Sequence, residues 1–481
     1  MSELPHGWAT ASLGDLCEIA RGGSPRPIKD YLTSDPNGIN WVKIGDATAS
    51  TKYIFETREK IRPEGLKKSR LVKNGDFLLS NSMSFGRPYI MRTTGCIHDG
   101  WLVLRDRAET FDQDYLYHFL GSASAYQQFD RLAAGTTVRN LNSDLVKDVE
   151  VLLPPIAEQT RIASKIDSLT GKSKRARDHL DHIPRLVDKY KQAVLAAAFG
   201  GRLTRRASTS GIGGAAVTHS LEQLASEHRR LKTISVGSKP EAPFELPSHW
   251  RWTTAEMVVQ PGAEIVYGIV QPGPKLQSGV PYVRGTDIEN GCIKFDQLLF
   301  TSKEIAARYE RASLRGGDIL LGIIRATKVA VVPDELTGGN ITQGTARFRP
   351  SRFIRTDFLA RWLESQSAQS WLHSKYRGID MPGLNLRDVR QLPIPLPPLD
   401  EQRFVALSVE RAFHWIDRLA SEATSGRKLI DNLDQAVLAK AFRGELVPQD
   451  PNDEPASNLL ERIRGERSAK PKVRRGRQAA A

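Results

Sequence analysis

The side chains in this chain with the most to offer chemically are cations and amides placed beside turns, and they occur at corresponding places in two halves. In the first half they are Arg21, Lys43, Asn81, Ser82, Arg87, Thr136, Arg139 and Asn140. In the second they are Tyr267, Gln271, Arg284, Arg325, Lys328, Arg347 and Arg377. Arginine and lysine suit guanine edges, asparagine and glutamine suit adenine, and hydroxyls and lysines hold phosphates, so the set points to DNA reading. The net charge of +14, from 69 Lys and Arg against 55 Asp and Glu, favours the same polyanionic partner. Catalytic patterns are not found: the sequence has no GxxxxGK[ST] loop, HExxH or GxSxG. The glycines of 262–268 lack the lysine and the GxG core that phosphate cradling needs. Asp76 and Asp318 each follow a glycine and precede an apolar strand, which marks them as turn formers rather than a catalytic pair. No metal site is expected.

The elements that must position these residues come in duplicate. From Ile162 an apolar seam runs through Ile166, Leu169, Ser173, Ala176, Leu180, Ile183, Val187, Tyr190 and Val194. Adding 243 gives Val405, Val409, Ala412, Ile416, Leu419, Ala423, Gly426, Ile430, Leu433 and Val437. Steps of three and four sustained this long are those of a coiled coil, with each rod about 50 Å long. Small residues at Ser173, Ala176 and Gly426 make either rod unstable alone, so the two are expected to pair. The seam leaves their relative direction open, although small-against-large layers would suit a parallel one. Pro184, opposite Arg427 in the repeat, predicts bending of the first rod. The cations Lys165, Lys172, Arg175, Arg177, Arg403, Arg411 and Arg418 are left to face outward.

The repeat covers nearly the whole chain of 481 residues: Leu4-Pro5-His6-Gly7-Trp8 matches Leu246-Pro247-Ser248-His249-Trp250, and Gly75-Asp76-Phe77-Leu78-Leu79 matches Gly317-Asp318-Ile319-Leu320-Leu321. The fold class is therefore α+β: two α+β segments in tandem duplication with two long helices forming a coiled coil. We divide the chain into a first segment (1–152), a first spacer helix (153–201) and a linker with a short helix (202–243). A second segment (244–395), a second spacer helix (396–444) and a short helix with a basic tail (445–481) follow. Each segment is expected to close with one helix, 114–132 and 356–376. After the shared GD(F/I)LL the copies diverge, Ser80-Asn81-Ser82-Met83-Ser84-Phe85 against Gly322-Ile323-Ile324-Arg325-Ala326-Thr327. One scaffold carries two readers.

Three cysteines far apart, no signal-peptide pattern and no apolar run of membrane-spanning length lead us to expect a cytoplasmic protein. Two other classes deserve weighing. A self-contained DNA methyltransferase or endonuclease is disfavoured by the missing motifs, and a coiled-coil scaffold that does not bind DNA by the charge and the divergent loops.

The pattern resembles the specificity subunits of type I restriction–modification systems. The residues that carry it are the duplicated LPP(I/L)xEQ of 153–159 and 396–402, the duplicated QAVLAxAFxG that begins at Gln192 and Gln435, the LPxxW openings, and the ending from 457 to 470 with its basic tail. The resemblance implies two target-recognition domains reading halves of a bipartite, asymmetric double-stranded DNA site, held apart by an antiparallel coiled coil. It implies a non-catalytic subunit that binds no cofactor itself. Its partners would be two methyltransferase subunits using S-adenosylmethionine to methylate adenine, and two restriction subunits using ATP and Mg. A spacer of about 50 Å agrees with two readers over major grooves roughly 34–36 Å apart.

Overall fold

The computed structural model describes residues 4–81, 85–133, 140–204, 213–231 and 240–469. The chain forms two compact units, one of residues 1–181 together with those from Thr424 onward, the other of His182–Ala423.

In the first unit two five-stranded sheets lie face to face. One has the order Leu32–Thr33, Glu59–Ile61, Ile39–Val42, Gly95–Ile97, Arg70–Val72. The other has the order Glu18–Arg21, Trp101–Arg105, Phe77–Ser80, Pro88–Met91, Tyr53–Ile54. Side chains alternate along a strand, so Leu78, Met91, Trp101 and Val103 pack between the sheets while Phe77, Leu79, Ile90, Leu102 and Leu104 turn to the helices. Because both faces are covered, Phe77-Leu78-Leu79 and Trp101-Leu102-Val103-Leu104 read as unbroken apolar runs.

The second unit repeats the plan with shorter strands. The order Val266–Tyr267, Thr345–Phe348, Ile319–Gly322, Val329–Val331 faces the order Leu299–Thr301, Val280–Val283, Asn340–Ile341. Both units contain an equivalent parallel pair, Ile97 beside Val42 and Ile341 beside Val283. The single closing helix expected in each segment is instead two. Gln113–Leu120 and Ala123–Ala133 are split at Gly121-Ser122, and Thr356–Glu364 and Gln366–Ser374 at Ser365. The serine is the cause: Ser122 Oγ accepts from Ala125 N, and Ser365 Oγ from Ala368 N, so each caps the start of a new helix.

The repeated LPxxW and EQ motifs join the segment to the rod. Trp8 Nε1 donates to Glu158 at 3.0 Å, and Trp250 Nε1 to Glu401 at 2.9 Å. Burial pushes the Glu158 carboxyl up, against the hydrogen bonds from Trp8 and Gln449. Gln159, fully buried, accepts from Asp112 N and donates to the carbonyls of Thr110 and Pro154. Gln402 does the same with Arg355 N, Phe353 and Pro397. Gln159→Ala would leave three buried backbone groups unpaired. We expect it to destabilise the first unit by about 3 kcal/mol, seen as a lower denaturant midpoint of the full chain.

The rods are antiparallel. In the first unit Arg161 pairs with Asp453, Arg177 with Asp431 and Asp434, and Asp181 with Arg427, so one number rises as the other falls. In the second, Lys191 pairs with Asp417, while Leu195 and Phe199, further on, share a core with Val405 and Val409. The parallel reading from layer sizes is corrected by these ion pairs. The first rod is broken: one helix spans Ile156–Leu180 and another Ile183–Phe199, with Pro184 in the first turn of the second. Proline has no N–H to offer the Leu180 carbonyl, so the helix cannot run through. The second rod is the helix Leu399–Ala441. Ile162, Ile166, Val405, Val409 and Ile416 are buried, and Leu169, Leu180, Ile183, Val187 and Ile430 half-buried. Leu419 and Leu433 are corrections, being 43% and 55% exposed. The inward positions are their neighbours Ala420 and Asp434, the latter taking up Arg177, which therefore does not face outward free.

Each segment also holds the end of the other copy's rod. Phe442 sits edge-on to Tyr115 and Phe119 in the first unit, and Phe199 edge-on to Phe358 and Trp362 in the second. The short helices Gly213–Leu231 and Ala456–Ala469 pack in the second and first units through Val217 and through Leu460 and Ile463. The linker residues 205–212 and the tail from 470 lie outside the described residues.

Candidate nucleic-acid interface

Two arginines from the sequence set are structural. Arg347 is 1% exposed, on the strand Thr345–Phe348, donating to the carbonyls of Glu264 and Arg311. Burial pushes it down to about 10, so it still carries its charge at neutral pH but presents none of it to a ligand. Arg284 is clamped on Asp287 at 2.6 Å and on the Gln297 carbonyl, closing its own turn. Asn81 is likewise buried, its amide donating to the Asp99 carbonyl at 2.7 Å. The GD aspartates prove to be turn residues in both copies: Asp76 accepts from Lys73 N and Arg105, and Asp318 from Arg315 N and Arg349.

The other candidates are at the surface or partly so. Arg21, Lys43, Arg87, Gln271, Arg325, Lys328 and Arg377 are exposed, Tyr267 is 48% exposed, and Asn140 is half-buried. Lys43 is engaged with Glu59 at 2.6 Å, and Arg377 reaches Asp388 at 3.3 Å. Ser82, Thr136 and Arg139 lie outside the described residues.

The backbone brings several of them to one place. Arg87 and Lys328 are equivalent, because Ser80 N donates to the Arg87 carbonyl as Gly322 N does to that of Lys328. Arg21 and Tyr267 are equivalent too, as Leu102 pairs with Arg21 and Ala346 with Tyr267. The residue after each is glycine because the chain passes against a carbonyl there: a Cβ on Gly22 would stand 2.0 Å from the His98 oxygen, and one on Gly268 1.9 Å from that of Ile341. In the second unit the loop of Arg325, at φ 65°, is bonded to the hairpin that begins at Arg377, Arg325 N donating to the Pro382 carbonyl and Arg377 pairing with Gly383.

Sequence reasoning looked for cations and missed the carboxylate among them. Asp99 accepts from Ser24 Oγ at 2.7 Å, faces Arg26 at 3.5 Å, and its carbonyl receives Arg21 Nε at 3.0 Å. The Ser24 hydroxyl, ahead of the charges of His98 and Arg26, holds the Asp99 carboxyl below the usual range. Burial lowers His98 beside it. A groove of about 1080 Å³ opens next to this cluster, with Trp41 and Ile44 on its floor and Arg26, Lys29, Lys43 and Arg58 around it. The arrangement offers an apolar floor and cationic walls, which suits the edge and backbone of a nucleic acid. Among the described residues no group of three or more His, Cys, Asp or Glu side chains is placed to hold a metal ion. No helix of the described residues is long and apolar enough to cross a membrane.

The family model for the type I restriction modification DNA specificity domain matches residues 5–180 and 273–406. The chain is 31% identical over 478 residues to the type I restriction enzyme EcoBI specificity subunit of Escherichia coli, covering 96% of this chain and 93% of that one. It is 26% identical over 483 residues to the EcoDI specificity subunit of the same organism, covering 97% of each. Among solved structures, the HsdS subunit from Thermoanaerobacter tengcongensis shares the fold at a TM-score of 0.57 and 21% identity, over 92% of this chain and 98% of that one. A chain from a structure of a type I R-M system shares it at 0.61 and 18%, over 93% and 100%.

Proposed function

The chain belongs to the family of type I restriction–modification DNA specificity subunits, and on that premise we propose that each of its two α+β segments reads one half of a bipartite, asymmetric DNA site. The observation that carries this reading is one backbone frame built twice with different residues in the stretches that follow it. Asn81 N donates to the Gly100 carbonyl as Ile323 N does to that of Gly344, and Leu141 N to Asn81 as Leu384 N to Ile323. Asn81 and Ile323 are thus held by the same bonds, and the sequences around them, 80–85 against 322–327, are unrelated. Two identical readers in an antiparallel frame would call for a palindrome. Two different ones call for an asymmetric site.

In this reading residues 1–152 and 244–395 are the target-recognition domains, 153–201 and 396–444 the spacers, 202–243 the linker, and 445–481 the closing helix and tail. The subunit works inside a restriction–modification complex and supplies sequence recognition. Its spacers dock two methyltransferase subunits, which carry S-adenosylmethionine and methylate adenine, and two restriction subunits driven by ATP and Mg join them. Exposed apolar side chains on the spacers support the docking role. In the second unit Phe404, Leu407, Trp415 and Leu419 fall on one face of their helix, and Leu186 and Tyr190 are also exposed; in the first, Leu429 and Leu433 are. The last two pairs are equivalent at the repeat offset of 243, as two copies of one partner would require.

The test is methyl transfer from labelled S-adenosylmethionine to DNA carrying the site. The purified chain alone is expected to leave the DNA unlabelled, and the chain with its methyltransferase subunits to label adenines in a two-part sequence. Stoichiometric labelling by the chain alone would overturn the proposal.

A further inference from the structure

The turns 98–101 and 342–345 are the same turn in the two frames, closed by Trp101 N to the His98 carbonyl and Thr345 N to that of Thr342, each at 3.1 Å. Each is anchored to the loop leaving the first strand, by Gly23 N to Ile97 and by Ile269 N to Ile341. The second residue of the turn is Asp99 in one and Gln343 in the other. These closing and anchoring bonds coincide, while Asp99 N donates to Ser24 Oγ where Gln343 N donates to the Ile269 carbonyl, so one turn presents different side chains in the two domains.

In the first domain the side chain is an acid between arginines. Asp99 is 44% exposed, Arg26 is 82% exposed, and Arg21 is held by the same residue's carbonyl. An arginine steadied by a carboxylate offers a fixed pair of donors, the complement of guanine O6 and N7, and the carboxylate accepts from the cytosine amine. In the second domain the surroundings are neutral. Gln343 is exposed and makes no side-chain hydrogen bond among the described residues, and Tyr267, Val270 and Gln271 stand where Arg21, Ser24 and Pro25 stand in the first. A free amide offers one donor and one acceptor, the complement of adenine N6 and N7.

We propose that this turn carries the base-discriminating side chain of each domain, Asp99 with Arg26 reading a G·C pair in one half-site and Gln343 reading an A·T pair in the other. The assignment rests on the bipartite reading above and names its specificity-determining residues. Arg87 and Lys328, equivalent and outside the turn, fall to phosphate contact.

The experiment uses the full chain assembled with its methyltransferase subunits, in competition binding to duplexes altered one base pair at a time. Gln343→Ala truncates an exposed side chain without disturbing packing, and Asp99→Asn keeps an acceptor for Ser24. Gln343→Ala is expected to lose roughly 5- to 150-fold of discrimination at one A·T pair, with the other half-site unchanged. Asp99→Asn should do so at one G·C pair of the other half, while Lys328→Ala weakens all duplexes alike. If both turn variants leave every position unchanged, or weaken all positions uniformly, while the complex still recognises an asymmetric two-part site, this assignment is overturned and the domain reading stands. If the unaltered complex recognises no two-part site, both fall. Should Asp99→Asn fail to assemble, the Gln343 arm decides.

Discussion

Replacing residues 246–392 with the corresponding segment of a related specificity subunit is expected to change one half of the methylated site and leave the other half and the spacer length as they were. The structure shows why such a hybrid holds together. The replaced segment contributes the strand Arg251–Thr254, which pairs antiparallel with Pro393–Leu396 from the retained chain. That junction is made by backbone groups, which any donor sequence supplies. The donor must also bring a tryptophan at position 250 to meet Glu401, so a subunit with the LPxxW opening should be chosen. Residues 4–181 and the rod segment from Thr424 onward make up the first unit, and the exchange touches none of them. The readout is genome-wide mapping of methylated adenines in cells expressing the hybrid with its methyltransferase. If both halves of the site change together, the segments are not independent readers.

Charge in the rod seam should have a comparable effect by another route. Ile166 is fully buried in the first unit, in the same core as Val437 and Ala441 from the returning helix. Ile166→Asp removes that apolar contact and puts a carboxylate where it has no partner, at a cost of about 4 kcal/mol or more. We expect the first unit to lose the docked helix end and, with it, assembly with the methyltransferase in size-exclusion chromatography. Leu419→Asp makes an informative contrast. Leu419 faces solvent, so its replacement should leave the melting temperature nearly unchanged, yet still impair assembly because it lies on the apolar face proposed for docking. Normal assembly by Ile166→Asp would show that the seam does not set the docking geometry.

The frame was legible in the sequence because repetition makes weak signals countable. One heptad run is ambiguous, but two in step over more than thirty residues, flanked by matched motifs, define the rods. What the spacing could not resolve was the choice between adjacent residues. After Ile416 the seam can step three or four, and the repeat offset of 243 points to Leu419. In the structure Ala420 is the less exposed of the two, and at the next turns Asp434 replaces Leu433 because Arg177 of the antiparallel partner pairs with it. Side-chain type was a poorer guide for the reading surface. Arginine and asparagine hold backbone carbonyls inside a fold with the same donors that read bases, and Arg347, Arg284 and Asn81 turned out to do the former. Only the folded packing, which buries Arg347 and Asn81 and leaves Arg21 and Arg87 at the surface, separates the two uses. Asp99 is hidden in the sequence for a related reason: an acid in a basic protein reads as a solvated charge until the fold places Ser24, Arg21 and Arg26 around it.

The first unit is assembled from the two ends of the chain. Ala456 N donates to the Gly7 carbonyl, Phe442 fills the gap beside Tyr115 and Phe119, and Ala456, Leu460 and Ile463 complete the core that Trp8 and Leu13 begin. The second unit is one continuous stretch, His182–Ala423. On the ribosome these two layouts have opposite fates. The domain translated first waits for the last sixty or so residues before its core can close, at about 5–20 residues per second, while the domain translated second closes as soon as its own stretch emerges. During that interval the apolar faces of the early domain stand open. A nascent chain stalled before Thr424 would present a finished second reader and an unfinished first one, the reverse of the order in which they were made.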